Sequence, residues 1–159
     1  MRLWHYKMIS FLPEAQLRGQ WRECCAIAQE WASTRYLKHP LVKPLLNYAP
    51  TEFIVYCKLV MDEMHARGFN TYEYTEAKLK DNLFMIYMDM EPMDNHKHAR
   101  DLIDYIWEKG CSYTEGLFPH WHNDEYFSIC YYNLEEKFLC GCVPPTEWAR
   151  FLEGGREYV

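Results

Sequence analysis

Glu23 is the residue of this chain best placed to do chemistry. It stands in the segment 17–25, LRGQWRECC, close to two basic side chains, Arg18 and Arg22, which lie four residues apart. Like charges at that spacing cost roughly 0.2–0.5 kcal/mol on an isolated helix. Such a cost suggests that the two arginines have a function. Two arginines beside one acid can hold phosphate groups while the carboxylate works on a bound group. A solvated helix edge with surface ion pairs is the alternative.

The α-amine of Met1 is a candidate nucleophile. An α-amine is a weaker base than a lysine amine, so a larger fraction of it is neutral at physiological pH and free to attack carbon electrophiles. Arg2 follows Met1, and such a bulky second residue should prevent removal of the initiator methionine. If the first residues lie along the helix that carries Glu23, the amine would meet the carboxylate.

Hydrophobic spacing predicts that Glu23 lies on a long helix. Within residues 14–31, apolar side chains recur at steps of three and four residues and form one buried face, namely Leu17, Trp21, Cys24, Cys25, Ala28 and Trp31. Gln16, Gln20 and the charged residues are expected outside this face. The helix should begin at Pro13-Glu14 and run to about Arg35, after an extended strip over residues 1–13.

Cap and breaker residues predict further helices downstream. Pro50-Thr51-Glu52 opens a second helix that stops at Gly68, and Asp94-Asn95 caps a third that ends at Gly110. Asn123-Asp124 caps a fourth helix through Cys140, and Pro145 begins a short final one.

The sequence leaves the secondary structure of residues 71–95 ambiguous. Residues 75–82 are compatible with a short helix, whereas the apolar run 83–88 fits either a helix turn or a strand. Because no two-residue hairpin signal is present, the chain is predicted to be all-α. We expect one compact domain over residues 1–159, with three to five helices and the N-terminal strip lying against the first.

Composition limits the classes of function. The 159 residues are 49% apolar and carry a net charge of −6, which argues against general affinity for nucleic acid. The first 50 residues nevertheless hold seven Lys and Arg against three Glu, so the remaining residues carry −10. This polarity predicts a local positive patch around Glu23. No apolar run is long enough for a membrane span and no secretion signal is evident, so a cytoplasmic protein is expected.

The cysteines and histidines give weaker signals. The seven cysteines lie mostly in apolar helical patterns, which is typical of reduced packing residues. The side chains of zinc or iron ligands occur together at His120, His122 and Asp124. No second group of ligands at the spacing of a metal site accompanies them. We therefore expect neither a metal nor another cofactor, and keep a metal hydrolase at these residues as an open alternative.

Three segments resemble one known family, the pyrimidine-dimer DNA glycosylases with abasic-site lyase activity (phage endonuclease V-like). Met1-Arg2-Leu3-Trp4 with Trp21-Arg22-Glu23 resembles the family's N-terminal strip and its aromatic-Arg-Glu triplet. Residues 63–70, ending in RGFN, are similar to the end of its middle helix. Residues 133–137, NLEEK, look like a late helix whose lysine faces DNA.

The resemblance implies a mechanism and a set of site residues. The amine of Met1 would attack the sugar C1′ of a damaged nucleotide and form a Schiff base, with Glu23 moving protons and stabilising the cationic sugar. Arg2, Arg22 and Lys137 match DNA-binding positions of the family, and helix geometry adds Arg18. The implied partner is damaged double-stranded DNA, kinked and with one base flipped out.

The chain also departs from the family. Ala26 stands where a basic residue is expected one turn beyond Arg22, the aromatic C-terminal tail has no counterpart, and the net charge is acidic. A non-catalytic module that binds nucleic acid or protein on the same helical scaffold is therefore the alternative function.

Overall fold

The computed structural model of the chain describes residues 1–90, 96–109 and 116–156. Within these ranges the chain forms helices and no strand, as predicted. The α-helices are α1 (Glu14–Thr34), α2 (Pro50–Ala66), α3 (Glu73–Met90), α4 (His96–Lys109), α5 (Asp124–Leu139) and α6 (Pro145–Gly155), and two short 3₁₀ helices span Tyr6–Phe11 and Lys43–Asn47. The predicted all-α class is confirmed.

Helix α1 is the element that positions Glu23. Its 21 residues begin after Pro13 and end where Arg35 adopts a left-handed conformation, with φ of 60°. Leu17, Trp21, Cys24 and Ala28 are buried as the spacing predicted. The helix packs against α2 and α3, so the face that carries these residues lies in the interior.

The predicted helix ends are confirmed where they fall on described residues. Gly68, with φ of 77°, stops α2, and the Phe69 N–H donates to the Met64 carbonyl at 2.9 Å, as in a Schellman motif. The Asn123 side chain accepts a hydrogen bond from the Tyr126 N–H at 2.9 Å and caps α5. Asp94, Asn95 and Gly110 lie outside the described residues.

Two predictions about the elements were wrong. Three to five helices were expected, but six α-helices occur in the described part of the chain, because the ambiguous residues 71–95 contain the whole of α3. Its buried residues, Leu79, Leu83, Ile86 and Tyr87, have helical spacing that the short apolar run concealed. The N-terminal strip is not extended throughout, since Tyr6–Phe11 forms a 3₁₀ helix.

The cysteines differ in burial, and Cys25 is half-buried. All those in the described ranges are free thiols, and Cys24, Cys57 and Cys130 are buried as expected of packing residues. Cys140 and Cys142 are exposed, so the packing prediction was wrong for them, because both follow the end of α5. Cys111 lies outside the described residues.

No helix in the ranges 1–90, 96–109 and 116–156 is both long enough and apolar enough to cross a membrane.

Helix α6 closes the core over the N-terminal 3₁₀ helix. The rings of Phe11 and Phe151 lie 5.2 Å apart, and Gly154 lets the α6 backbone approach Phe11 closely. A Cβ added at Gly154 would lie 2.7 Å from the Cβ and Cγ atoms of Phe11, whereas one at Gly155 would lie 3.7 Å from the Phe11 ring. The first distance is a clash and the second an ordinary contact.

Gly154→Ala should therefore lower the free energy of unfolding by about 1–3 kcal/mol, because the added methyl overpacks the contact with Phe11. Gly155→Ala is the matched control and should leave stability unchanged or raise it by up to about 1 kcal/mol, the helix-propensity gain. Urea unfolding measures both. Equal free energies of unfolding for the two variants would contradict the close packing of α6 on the N-terminal 3₁₀ helix.

Candidate active site at the chain terminus

The amine of Met1 and the carboxylate of Glu23 meet at the surface of α1. The Met1 nitrogen lies 3.8 Å from Glu23 Oε1, and the two side chains are 27% and 33% exposed. The other carboxylate oxygen, Oε2, accepts a hydrogen bond from the Arg2 N–H at 3.1 Å. One oxygen is therefore held by the backbone while the other faces the amine and solvent.

Gln20 fixes the strip that carries this amine. Its amide nitrogen donates to the Arg2 carbonyl at 2.9 Å and lies 3.4 Å from Glu23 Oε2. Its amide oxygen accepts from the Trp4 N–H at 2.7 Å. The Gln20 side chain thus joins the strip to α1 on both sides of Leu3.

The expectation that Gln20 lies outside the buried face was wrong, because only 1% of it is exposed. Its position, three residues after Leu17 and four before Cys24, placed it on that face from the start. A polar residue at an apolar position was the signal that could have identified it.

Tyr56 supports Gln20 from α2. Its hydroxyl lies 2.6 Å from the Trp4 carbonyl and 2.9 Å from Gln20 Oε1. Burial raises the pKa of Tyr56 well above its usual value, so the hydroxyl remains a neutral donor.

Two buried histidines hold the next residues of the strip. His5 Nε2 donates to the His122 carbonyl at 2.9 Å, and the Lys7 N–H donates to His5 Nδ1 at 3.2 Å. His122 Nδ1 accepts from the Tyr6 N–H at 3.1 Å. Each ring uses one nitrogen as an acceptor, which requires the neutral form.

The burial of these rings agrees with that protonation state. The pKa of His5 is lowered to about 4 and that of His122 to about 2, mainly by burial, with smaller contributions from the Lys7 charge and from the neighbouring His5 ring respectively. Both histidines are therefore neutral at physiological pH.

Residues of α5 and α2 complete the support of the strip. The Tyr126 hydroxyl donates to the Leu3 carbonyl at 2.6 Å. The Arg67 guanidinium donates to the carbonyls of Leu12 at 2.7 Å and Ser10 at 3.2 Å, and it pairs with Glu63 at 2.7 Å. The RGFN segment that carried part of the family resemblance thus contributes an anchor for the strip.

The predicted DNA-binding residues differ in their surroundings. Arg2 lies 5.6 Å from the centre of the Trp4 ring, beside the amine–carboxylate pair. Arg22 is exposed next to Glu23. Arg18 pairs with Glu14 at 2.9 Å and stacks over the Phe69 ring at 4.1 Å, so its charge is already partnered in the free protein.

Lys137 is not brought to this site. It is exposed in the last turn of α5, eleven residues beyond Tyr126, which contacts the strip. Eleven residues correspond to about 16 Å along a helix.

His120, His122 and Asp124 do not form a metal centre. One ring nitrogen of His122 is engaged by Tyr6, and Nε2 is buried with no hydrogen-bond partner among the described residues. In the described ranges, no three His, Cys, Asp or Glu side chains are grouped so that they could hold a metal ion.

Gln20→Ala should lower the free energy of unfolding by about 2–3 kcal/mol, because the Trp4 N–H and the Arg2 carbonyl lose their buried partner. Gln16→Ala, one turn earlier on α1, is the control, since the buried Gln16 Oε1 has no partner in the described structure. Chemical denaturation compares the two. If Gln16→Ala costs as much as Gln20→Ala, the Gln20 hydrogen bonds are not what stabilises the strip.

The two histidines predict acid-sensitive stability. Because their folded pKa values lie below that of an unfolded histidine, the unfolded chain binds more protons, and stability falls as pH decreases below about 6.5. Each histidine contributes a slope of up to about 1.4 kcal/mol per pH unit down to its folded pKa.

Urea unfolding between about pH 7.5 and 5 should show this fall, and His122→Gln should reduce the slope. His120→Gln, at an exposed position, is the control and should keep it. Identical slopes in the unaltered protein and His122→Gln would contradict a neutral, buried His122.

One comparison with known proteins found a match, and it covers the N-terminal segment. Residues 1–76 match the sequence model of the family described as pyrimidine dimer DNA glycosylase. No curated protein and no solved structure gave a significant match. The matched residues contain Met1, Arg2, Gln20, Glu23 and Tyr56, so the match covers the amine–carboxylate pair and its main supports. The match supports the resemblance to the pyrimidine dimer DNA glycosylases over residues 1–76, the segment that builds this site.

Proposed function

We propose that this protein is a DNA repair glycosylase with abasic-site lyase activity that uses the amine of Met1 as its nucleophile. The observation that carries the proposal is the 3.8 Å separation between the Met1 nitrogen and Glu23 Oε1, in a segment that matches the pyrimidine dimer DNA glycosylases. The substrate class is damaged double-stranded DNA, with a pyrimidine dimer or a related lesion.

The reaction begins with attack of the neutral amine on the sugar C1′. The bond from C1′ to the base breaks, and the base leaves with the electron pair and takes up a proton. Loss of a proton from the nitrogen, together with opening of the sugar ring, gives a Schiff base between the Met1 nitrogen and C1′. Removal of a C2′ proton then expels the 3′ phosphate by β-elimination, and water releases the enzyme.

Glu23 serves this sequence through its two differently held oxygens. Oε2 is fixed by the Arg2 N–H at 3.1 Å, so the carboxylate keeps one orientation. Oε1 faces the amine, where it can accept a proton from the attacking nitrogen and stabilise positive charge on the sugar.

The basic residues of the first helix and strip bind the DNA backbone. Arg2 and Arg22 flank the amine–carboxylate pair, and Arg18 and Lys137 are proposed as further contacts. Arg18 would exchange its pairing with Glu14 for a phosphate, whereas Arg22 has no ion pair to break in the described part of the chain. A duplex damaged at one base pair bends and releases a base at reduced cost, which brings C1′ to the amine.

Borohydride trapping on an abasic-site duplex tests the proposal. The unaltered protein should form a covalent adduct, and Glu23→Gln should form it at least about 100-fold more slowly, because the proton acceptor is lost. The amide oxygen of Gln can still accept from the Arg2 N–H, so the fold should be kept. Circular dichroism and unfolding of the same sample would confirm this.

Two controls make the result specific. Glu30→Gln makes the same change two turns further along α1, where the Glu30 carboxylate accepts from the Lys38 N–H at 3.1 Å, and should trap normally. A Gly-Ser extension before Met1 should abolish the adduct. An adduct that persists with the terminus extended would exclude the Met1 amine, and DNA binding without any adduct would favour the non-catalytic binding module.

A further inference from the structure

A cleft of about 310 Å³ lies between α1 and α3. Two rows of side chains face each other across it at helical spacing. Arg22, Ala26 and Gln29 line the α1 side, and Tyr74, Lys78 and Asn82 line the α3 side. Arg22, the first α1 residue of the cleft, directly precedes Glu23 in the sequence.

The lining is positive although the protein is acidic. It contains two cations and no carboxylate, whereas the whole chain has a net charge of −6. The one thiol in the wall, Cys25, stays neutral, because burial raises its pKa to about 12.

The two cations differ from the other basic residues in and next to these helices. Arg18 pairs with Glu14, Arg35 with Asp89, and Lys80 with Asp104. Among residues 1–90, 96–109 and 116–156, neither Arg22 nor Lys78 has an ion-pair partner. Two unpaired positive charges that share a cleft repel each other, and an anion bound between them would remove that cost.

We propose that Arg22 and Lys78 clamp one phosphodiester of the DNA strand in this cleft. The inference rests on the proposed function for the identity of the anion and adds α3 to the DNA-binding surface. Lys78 supplies from α3 the second positive charge of the clamp.

The neighbouring residues suit a phosphate group. Ala26 has a single methyl group between Arg22 and Gln29, which leaves the floor of the cleft open. The side-chain amides of Gln29 and Asn82 can donate hydrogen bonds to phosphate oxygens. Tyr74, which is 79% exposed at the rim, offers its hydroxyl to the backbone of the same strand.

Binding of an abasic-site duplex, measured as a function of salt concentration, tests the clamp. Lys78→Gln should weaken binding about fivefold near 0.1 M salt and reduce the slope of log K against log salt by about 0.9, the value for one phosphate contact. Lys97→Gln, at an exposed position on α4, is the matched control for net charge and should keep the slope. Equal slopes for Lys78→Gln and the unaltered protein would overturn the proposal.

A double-mutant cycle tests whether the two cations share one phosphate. Arg22→Gln and Lys78→Gln should weaken binding less in combination than the product of their separate effects, because the second loss removes a contact that is already impaired. Strictly multiplicative effects would contradict a shared phosphate.

A charge introduced on the cleft floor gives an independent check. Ala26→Glu should weaken binding at least as much as Lys78→Gln, because the new carboxylate occupies the anion site. Ala77→Glu, on an exposed part of α3 outside the cleft, is the control and should have the smaller effect. An equal effect of the two variants would count against the cleft.

These results are separable from the proposed function. If Lys78→Gln changes the salt slope but the unaltered protein forms no borohydride adduct, the clamp stands and the glycosylase proposal fails. If the unaltered protein forms the adduct and Lys78→Gln binds DNA normally, the clamp fails and the glycosylase proposal stands.

Discussion

The site depends on one constraint: the backbone of residues 2–4 has no secondary-structure partner and must be satisfied by side chains. Buried N–H and carbonyl groups without partners cost about 1–3 kcal/mol each. Gln20 meets this requirement, since its amide binds the Arg2 carbonyl and the Trp4 N–H from a fully buried position. The same amide lies beside Glu23 Oε2, so the contact that holds the strip also helps to orient the carboxylate.

The supports of the strip come from distant parts of the chain. Tyr56 lies on α2, Tyr126 on α5, and His122 in the loop before α5, and each bonds to backbone atoms of residues 3–6. The position of the first nitrogen is therefore a property of the whole helical assembly. A change that loosens α5 or its preceding loop should displace the amine even though it lies far from Glu23 in sequence.

The basic side chains of α1 and α3 are of two kinds, those in ion pairs and those that line the cleft. Arg18 on α1 and Lys80 on α3 pair with carboxylates on the same or a neighbouring helix, as does Arg35 just after α1. Arg22 and Lys78 line one cleft between the two helices. If Arg22 and Lys78 bind one phosphate as proposed, the clamp would favour a DNA strand in one register over diffuse binding.

The sequence by itself determined the helical class and the extent of α1, because periodicity and caps are local signals. It offered the pairing of Met1 with Glu23 only on the condition that the first residues lie along α1, a contact that the fold supplies. Only the tertiary structure showed which backbone groups Gln20 binds and that Arg18 stacks over Phe69. It also brought Lys78 opposite Arg22, 56 residues away. Contacts between helices depend on how their faces meet in space, and no local pattern in a single sequence encodes which exposed side chains will share a cleft.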